Sequence, residues 1–197
     1  SSSEVYGEPS NNPIDENFPT QGKSNYAITK LMGESLVKSY NDLDKSFKYI
    51  IFRFFNTYGI NQVAQFVLPK FIHAAQNGKN LVINGDGEQI RSYCSAVDIA
   101  RGISNSISNR KANNQIINLG NALDSITLND LARLVLNKTK SKSKIVYDRK
   151  FKKTDRKKSR EVYKRFGNFE KAKKLINFKA NIRLEKGLDD LIKKQIR

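Results

Sequence analysis

The chain has 197 residues, 38% hydrophobic and 28% charged, which suits one domain with a sizeable core or two small ones and is too polar for a membrane protein. No apolar run approaches the roughly 18 residues of a membrane span, and no signal peptide stands out. The single cysteine, Cys94, excludes an internal disulfide and a cysteine metal cluster, so a reducing, cytoplasmic setting is expected.

The net charge of +17 is unevenly spread: residues 1–137 hold 13 basic and 12 acidic side chains, residues 138–197 hold 23 and 7. The first two-thirds resembles a balanced enzyme surface. The tail reads as a solvated lysine face in preference to a nucleic-acid surface.

The opening "SSSEVYGEPS" sets three hydroxyls, a carboxylate and an aromatic together, and "EPSNNPIDENFPTQGKSN" then reads as an irregular loop. "NYAITKLMGESLVKSYNDL" has apolar residues at mixed spacings of three and four, a helix with Ser24 or Asn25 as its N-cap. "KYIIFRFFNTYG" is a short apolar run of the kind buried on both faces of a parallel sheet. "VLPKFIHAAQNGK" predicts a helix stopped at Gly78, and "NLVING" a strand entering the turn "GDGEQ". Beyond it "AVDIARGISNSI" predicts a helix, "NQIINLGN" a strand, and "TLNDLARLVLNK" a helix capped by Thr127. "KIVYD" reads as a strand, and "NFEKAKKLI" and "LEKGLDDLIKKQI" as helices. Alternating strands and helices make this an α/β protein.

Tyr26 and Lys30 stand four residues apart on one helix face. A phenol titrates near 10, too high for a base at neutral pH, and a neighbouring ammonium favours its ionised form. Such a base takes a proton from a substrate hydroxyl while hydride leaves the same carbon, which requires a hydride acceptor such as a nicotinamide. With 25 lysines in the chain the bare spacing arises about once by chance, so context decides.

The context is specific. "SSSEVYG", "YAITKLMGE", "RFFNTYG", "INGDGEQIRSY" with "AVDIARG", and "IINLGN" with "DSITLNDLARLV", in this order, resemble the extended short-chain dehydrogenase/reductase family. More narrowly, the chain is similar to its sugar-nucleotide epimerases, dehydratases and decarboxylases. The resemblance runs through "NFEKAKKLINFKANIRLEKGLDDLI" and so spans nearly all residues.

The resemblance implies the rear part of a Rossmann-type doubly wound parallel sheet plus a smaller α/β substrate-binding domain. Residues 1–60 and about 92–110 would carry the catalytic Ser, Tyr and Lys, and residues 61–91 and 111–197 would bind the nucleotide sugar. By the same resemblance Ser2, Tyr26 and Lys30 are catalytic, with Glu4 beside the sugar C5. Tyr26, Lys30 and the backbone at Phe54 lie against NAD. Ser3, Asn56, Arg91, Tyr93 and Arg160 contact the substrate, Arg91 and Arg160 as phosphate ligands; a guanidinium fork matches two oxygens at once. A homodimer built partly on the Tyr–Lys helix is also implied.

The Gly-x-x-Gly-x-x-Gly turn that approaches the pyrophosphate in this family is not found among the eleven glycines. About four strands are therefore expected upstream of Ser1, and these 197 residues alone are expected neither to bind NAD tightly nor to turn over. Leu81 and Ile83 could line the base pocket and read equally well as core. His73 reads as a surface or packing residue, Cys94 as a buried structural thiol, and no metal-ligand spacing is present.

Two functions remain open. The first is an NAD-dependent enzyme acting on a nucleotide-diphosphate sugar: an epimerase, with UDP-glucuronate decarboxylase-like and 4,6-dehydratase-like alternatives. "SSSEVYG" leans toward the decarboxylases, and "AITK" toward the epimerases. The second is a non-catalytic binding module with a basic tail.

Overall fold

A computed structural model describes residues 1–63, 65–150 and 162–194. A 3-10 turn, Ser3–Tyr6, is followed by α1 (Asn25–Leu43), β1 (Ile50–Phe54), β2 (Thr57–Tyr58) and α2 (Val67–Gln76). Next come β3 (Leu81–Asn84), β4 (Ile90–Ser92), β5 (Cys94–Ser95), α3 (Ala96–Ile107) and β6 (Gln115–Leu119). The chain continues through β7 (Ser125–Thr127), α4 (Leu128–Thr139), β8 (Ile145–Asp148), β9 (Lys164–Arg165), α5 (Glu170–Ile176) and α6 (Leu184–Lys194).

The long elements fall where the sequence pattern puts them, and their ends are chemical. Ser24 caps α1 by accepting from Ala27 N at 3.1 Å, and Thr127 caps α4 by accepting from Asp130 N at 3.0 Å. Pro69 is tolerated in α2 because it sits in the first turn, where its missing N–H would have no intrahelical partner. Lys140 and Asn177 end α4 and α5 in the left-handed conformation, with φ 53° and 49°.

Strand pairing is mostly parallel, as an α/β fold requires. β1 runs beside β6 with Ile51 opposite Ile116 and Phe54 opposite Leu119. β2 pairs β5, and β3 pairs β8, each in parallel. β4 lies between antiparallel β7 and parallel β9. The sequence division placed 111–197 with the substrate unit, yet β6 pairs with β1, so residues 115–119 sit in the sheet that carries the site.

Three apolar clusters hold these layers. Phe71, Ile72, Leu131, Val135 and Leu188 join α2, α4 and α6 over β3. Ile117, Leu119, Ile99, Ile176 and Phe178 join β6 to α3 and α5. Val5, Tyr6, Ile14, Phe55 and Phe169 seat the opening segment on the end of β1. Fully burying one such side chain is worth about 1.5–3 kcal/mol, so the opening segment is held by packing as well as by hydrogen bonds. Tail lysines 173, 174, 179, 186, 193 and 194 all face solvent.

Candidate active site

The site gathers at the carboxyl end of β1, where open α/β sheets leave a crevice for ligands. Ser2 forms a parallel bridge with Phe54, and Phe54 N donates to Ser1 O at 3.5 Å. The chain then tightens into the 3-10 turn, whose first free N–H, on Glu4, is taken by Ser2 Oγ at 3.2 Å. Gly7 closes it at φ 61°, where a Cβ would sit 2.8 Å from that of Gln21; Gln21 N donates to Val5 O at 2.7 Å. This turn was not foreseen, because "SEVY" carries no helical period.

Tyr26 and Lys30 stand on the first turns of α1. The Lys30 ammonium lies 5.4 Å from the centre of the Tyr26 ring, and the ring is 49% exposed. The two side chains therefore meet on one face of α1. The structure brings Lys30 to Tyr26 while the Ser2 hydroxyl is engaged by the backbone of its own turn.

α1 buries only Ala27 and Glu34 of its 19 residues. Glu34 continues the Tyr26–Lys30 stripe by one more turn and receives the Arg53 fork: Nε to Oε1 at 2.9 Å, Nη2 to Oε2 at 2.7 Å. Ser1 Oγ donates to the same Oε1 at 2.6 Å. Arg53 Nη1 donates to the Tyr6 hydroxyl at 3.0 Å, which donates to Asn118 Oδ1 on β6 at 2.7 Å. Both charges of the ion pair are about 4% exposed. Burial pushes the Glu34 carboxyl up, but hydrogen bonds from Arg53 and Ser1 and the guanidinium charge outweigh it, so it titrates below the usual carboxylate range. Burial raises the Tyr6 phenol, against the opposing pull of Arg53.

No reading of the sequence singled out this network, although it carried a signal. Arg53 interrupts the apolar run "YIIFRFF", and a charge in a buried strand needs a buried partner.

The expected substrate ligands divide. Ser3 is buried within the 3-10 turn, and Asn56 is half-buried just past β1, its carbonyl accepting from Cys94 N at 3.0 Å. Arg91 is 7% exposed; its guanidinium donates to the carbonyls of Ile90 at 2.9 Å and Tyr163 at 3.2 Å, and to that of Val162. Its fork thus binds backbone oxygens of this chain. The Tyr93 ring lies in the α2–α4 core at 4% exposure, and burial drives its phenol upward. Leu81 and Ile83 lie in the same core. Phe54 is half-buried and stacks on Phe52 with ring centres 6.1 Å apart.

Arg160 lies outside the described residues. Arg165 on β9, in register with Arg91, sets its guanidinium 3.6 Å from Glu4 Oε1 while 7% exposed. β9 has only two residues, too short for any pattern to announce it. Cys94 is fully buried and its thiol is pushed up to about 12 by that burial, an inert structural group. His73 is exposed beside Asn77. Among the described residues no cluster of metal-binding side chains occurs, and no helix is long and apolar enough to cross a membrane.

Comparison with known proteins adds to this geometry. The family model described as GDP-mannose 4,6 dehydratase matches residues 1–191. A putative UDP-glucose 4-epimerase of Methanocaldococcus jannaschii is 29% identical over 95% of this chain and 58% of its own length. A UDP-N-acetyl-alpha-D-glucosaminuronate decarboxylase of Bacillus cytotoxicus is 31% identical over 98% of this chain and 61% of its own. The UDP-glucuronic acid 4-epimerase of Bacillus cereus, solved with UDP-glucuronic acid and NAD, shares the fold at a TM-score of 0.89 and 24% identity, over 100% of this chain and 60% of that one. The chain thus spans less than two thirds of the length of these relatives.

Proposed function

The chain belongs to the GDP-mannose 4,6-dehydratase family of extended short-chain dehydrogenases/reductases, and from that membership we propose an NAD-dependent enzyme that acts on a nucleotide-diphosphate sugar. The reaction proposed is transient oxidation at the sugar C4, followed by epimerisation or elimination. Tyr26 is the base for the C4 hydroxyl, and the Lys30 ammonium stands beside its ring. Ser2 shares the substrate oxygen once its hydroxyl turns from Glu4 N. The single observation that carries this reading is the Lys30 ammonium over the half-exposed Tyr26 ring on the first turns of α1.

The residues present fit the reacting end of the cofactor. Tyr26 is open on one side, Lys30 supplies a cation for ribose oxygens, and Phe54 offers half-buried backbone at the strand end. When bound, NAD supplies a hydride acceptor. Asn56 and Arg91 are proposed as substrate ligands, Arg91 by exchanging backbone carbonyls for phosphate oxygens. A cytoplasmic setting suits the reduced, buried Cys94.

A homodimer is also proposed. Ile28, Met32, Leu36 and Tyr40 recur every four residues along α1 and are all more than half exposed, an apolar stripe suited to another helix surface.

One observation favours a second reading, the decarboxylating branch. Glu4 faces the buried Arg165 guanidinium beside Ser2 and Ser3, and that cation suits a sugar bearing a carboxylate.

The test is product analysis by NMR and mass spectrometry of the full-length protein with NAD and each of UDP-glucose, UDP-glucuronate and dTDP-glucose. A C4 epimer or a 4-keto-6-deoxy product supports the first reading, and carbon dioxide released from UDP-glucuronate the second. Turnover no greater than that of a Tyr26→Phe variant on all three overturns both.

A further inference from the structure

An enzyme of this kind needs its base fixed to a fraction of an ångström, so the rotation and register of the helix that carries Tyr26 matter. Toward the described chain α1 buries the Ala27 methyl group and the Glu34 carboxylate, and it sets half-buried Leu31 against the cluster of Val5, Tyr6 and Phe55. Apolar contact is non-directional and does not by itself fix a helix's rotation or register.

The Glu34 carboxylate supplies the direction that packing lacks. It stands about two turns beyond Tyr26 and one beyond Lys30, on the same face. Both its oxygens are held by the Arg53 fork, which fixes the carboxylate in plane as well as in place. Arg53 is the strand residue next to Phe54, the partner of Ser2, and three before Asn56. Ser1 Oγ donates to that same carboxylate, so the segment carrying Ser2 is tied to it too. The far side of the guanidinium is held by Tyr6, and Tyr6 by Asn118 of β6.

We infer that Glu34 and Arg53 are positioning residues that set the rotation and axial register of Tyr26 and Lys30 against Ser2 and the end of β1. The inference rests on the catalytic reading of Tyr26. The pair touches neither substrate nor cofactor. Its effect passes through the helix: a change in how Glu34 seats moves the base two turns away. A purely structural ion pair would stabilise the fold and leave the chemistry of the surviving folded protein unchanged.

The experiment uses the full-length protein and compares wild type, Tyr26→Phe, Glu34→Asp and the double variant Glu34→Met/Arg53→Met. Replacing a buried ion pair by apolar side chains of similar volume is often neutral for stability, so the double variant is expected to fold. Its kcat is expected to fall about 100-fold, the scale of a misplacement near 1 Å, with KM for the sugar nucleotide changed less than about threefold. Glu34→Asp keeps the charge, shortens the arm by one methylene and is expected to lower kcat per folded molecule about tenfold, beyond what its loss of stability accounts for. It also serves if the double variant does not fold. Backbone amides of α1 are expected to exchange faster in both variants while those of β6 do not.

A folded variant with wild-type kcat, or an equal loss of stability and activity with kcat per folded molecule unchanged, overturns the inference while the catalytic reading stands. Wild-type turnover no higher than that of Tyr26→Phe overturns the reading and the inference with it.

Discussion

A guanidinium in the middle of an apolar strand has to be neutralised where it stands. Arg53 is 3% exposed, and removing one partner of a buried pair costs about 3–5 kcal/mol because the other charge is left unpaired. Glu34→Gln is therefore expected to destabilise the protein by about that amount in urea titrations, while the apolar double variant does not. The same pair makes acid sensitivity predictable. Glu34 titrates in the folded state below its ordinary value of 4.5. Its stabilising contribution is thus complete above that value and is lost as the pH falls through the depressed folded one. Urea midpoints measured between neutral pH and pH about 3 should drop in the wild type more than in the double variant; parallel curves would refute the assignment. At the other end of the same helix, in the proposed reading, Tyr26→Phe removes the proton acceptor and Lys30→Met removes the cation beside its ring. Losses of about 10²–10⁴ in kcat are expected for Tyr26→Phe, measured by product formation with the melting temperature unchanged. Tyr26 and Lys30 were legible in the sequence because one helical turn separates them. Glu34 was legible only in hindsight: it lies on the same stripe, but the residue that explains it is 19 positions away in a strand.

Elements with a repeating pattern were foreseen nearly to the residue. Those held by tertiary contact were not. α1, α3 and α4 carry both a helical period and a hydroxyl cap, and each begins directly after Ser24, Ser95 or Thr127. β2, β5 and β9 have two residues each, and no alternation fits in two. They exist because a neighbour pairs with them: Thr57 with Cys94, and Arg91 with Arg165. That is why sequence reasoning passed over Arg165, which β9 sets beside Glu4. Backbone pairing on the short strand decides which side chain faces Glu4, so the site is specified here by topology more than by motif. Arg165→Lys keeps the charge but gives up the fork beside Glu4. In the decarboxylating reading it is expected to cut turnover of UDP-glucuronate about tenfold or more while leaving that of UDP-glucose within about twofold. Equal effects on the two substrates would remove Arg165 from the account of specificity.

The whole molecule is assembled from pieces far apart in sequence, and the late segments lock onto the early ones at few points. Asp98, fully buried at the start of α3, accepts from Asn181 N and Ile182 N, both at 2.9 Å, and so fixes the approach to α6. α6 then lies against Tyr58, one residue before the Gly59 turn that follows β2. At the crossing the helix shows Gly187, where a Cβ would run into the Tyr58 ring and hydroxyl. The backbone there is ordinary helix, so the requirement is one of space: the tail of the chain closes on the strand that follows the site through a contact only glycine allows. Forcing a methyl group into a packed interface costs about 1–3 kcal/mol, and here the obstruction is a ring that is itself buried. Gly187→Ala is therefore expected to lower stability by at least that much, although alanine is the better helix former at an exposed position. Because Tyr58 follows directly on Asn56 and Thr57, the displaced ring should also disturb the substrate end of the site. KM for the sugar nucleotide is expected to rise while kcat holds, the reverse of the pattern expected for Glu34→Asp. Denaturation and steady-state kinetics on the same preparation of full-length protein would decide it: a Gly187→Ala variant as stable as wild type would show that α6 shifts freely over β2, and that the basic tail is docked more loosely than this crossing implies.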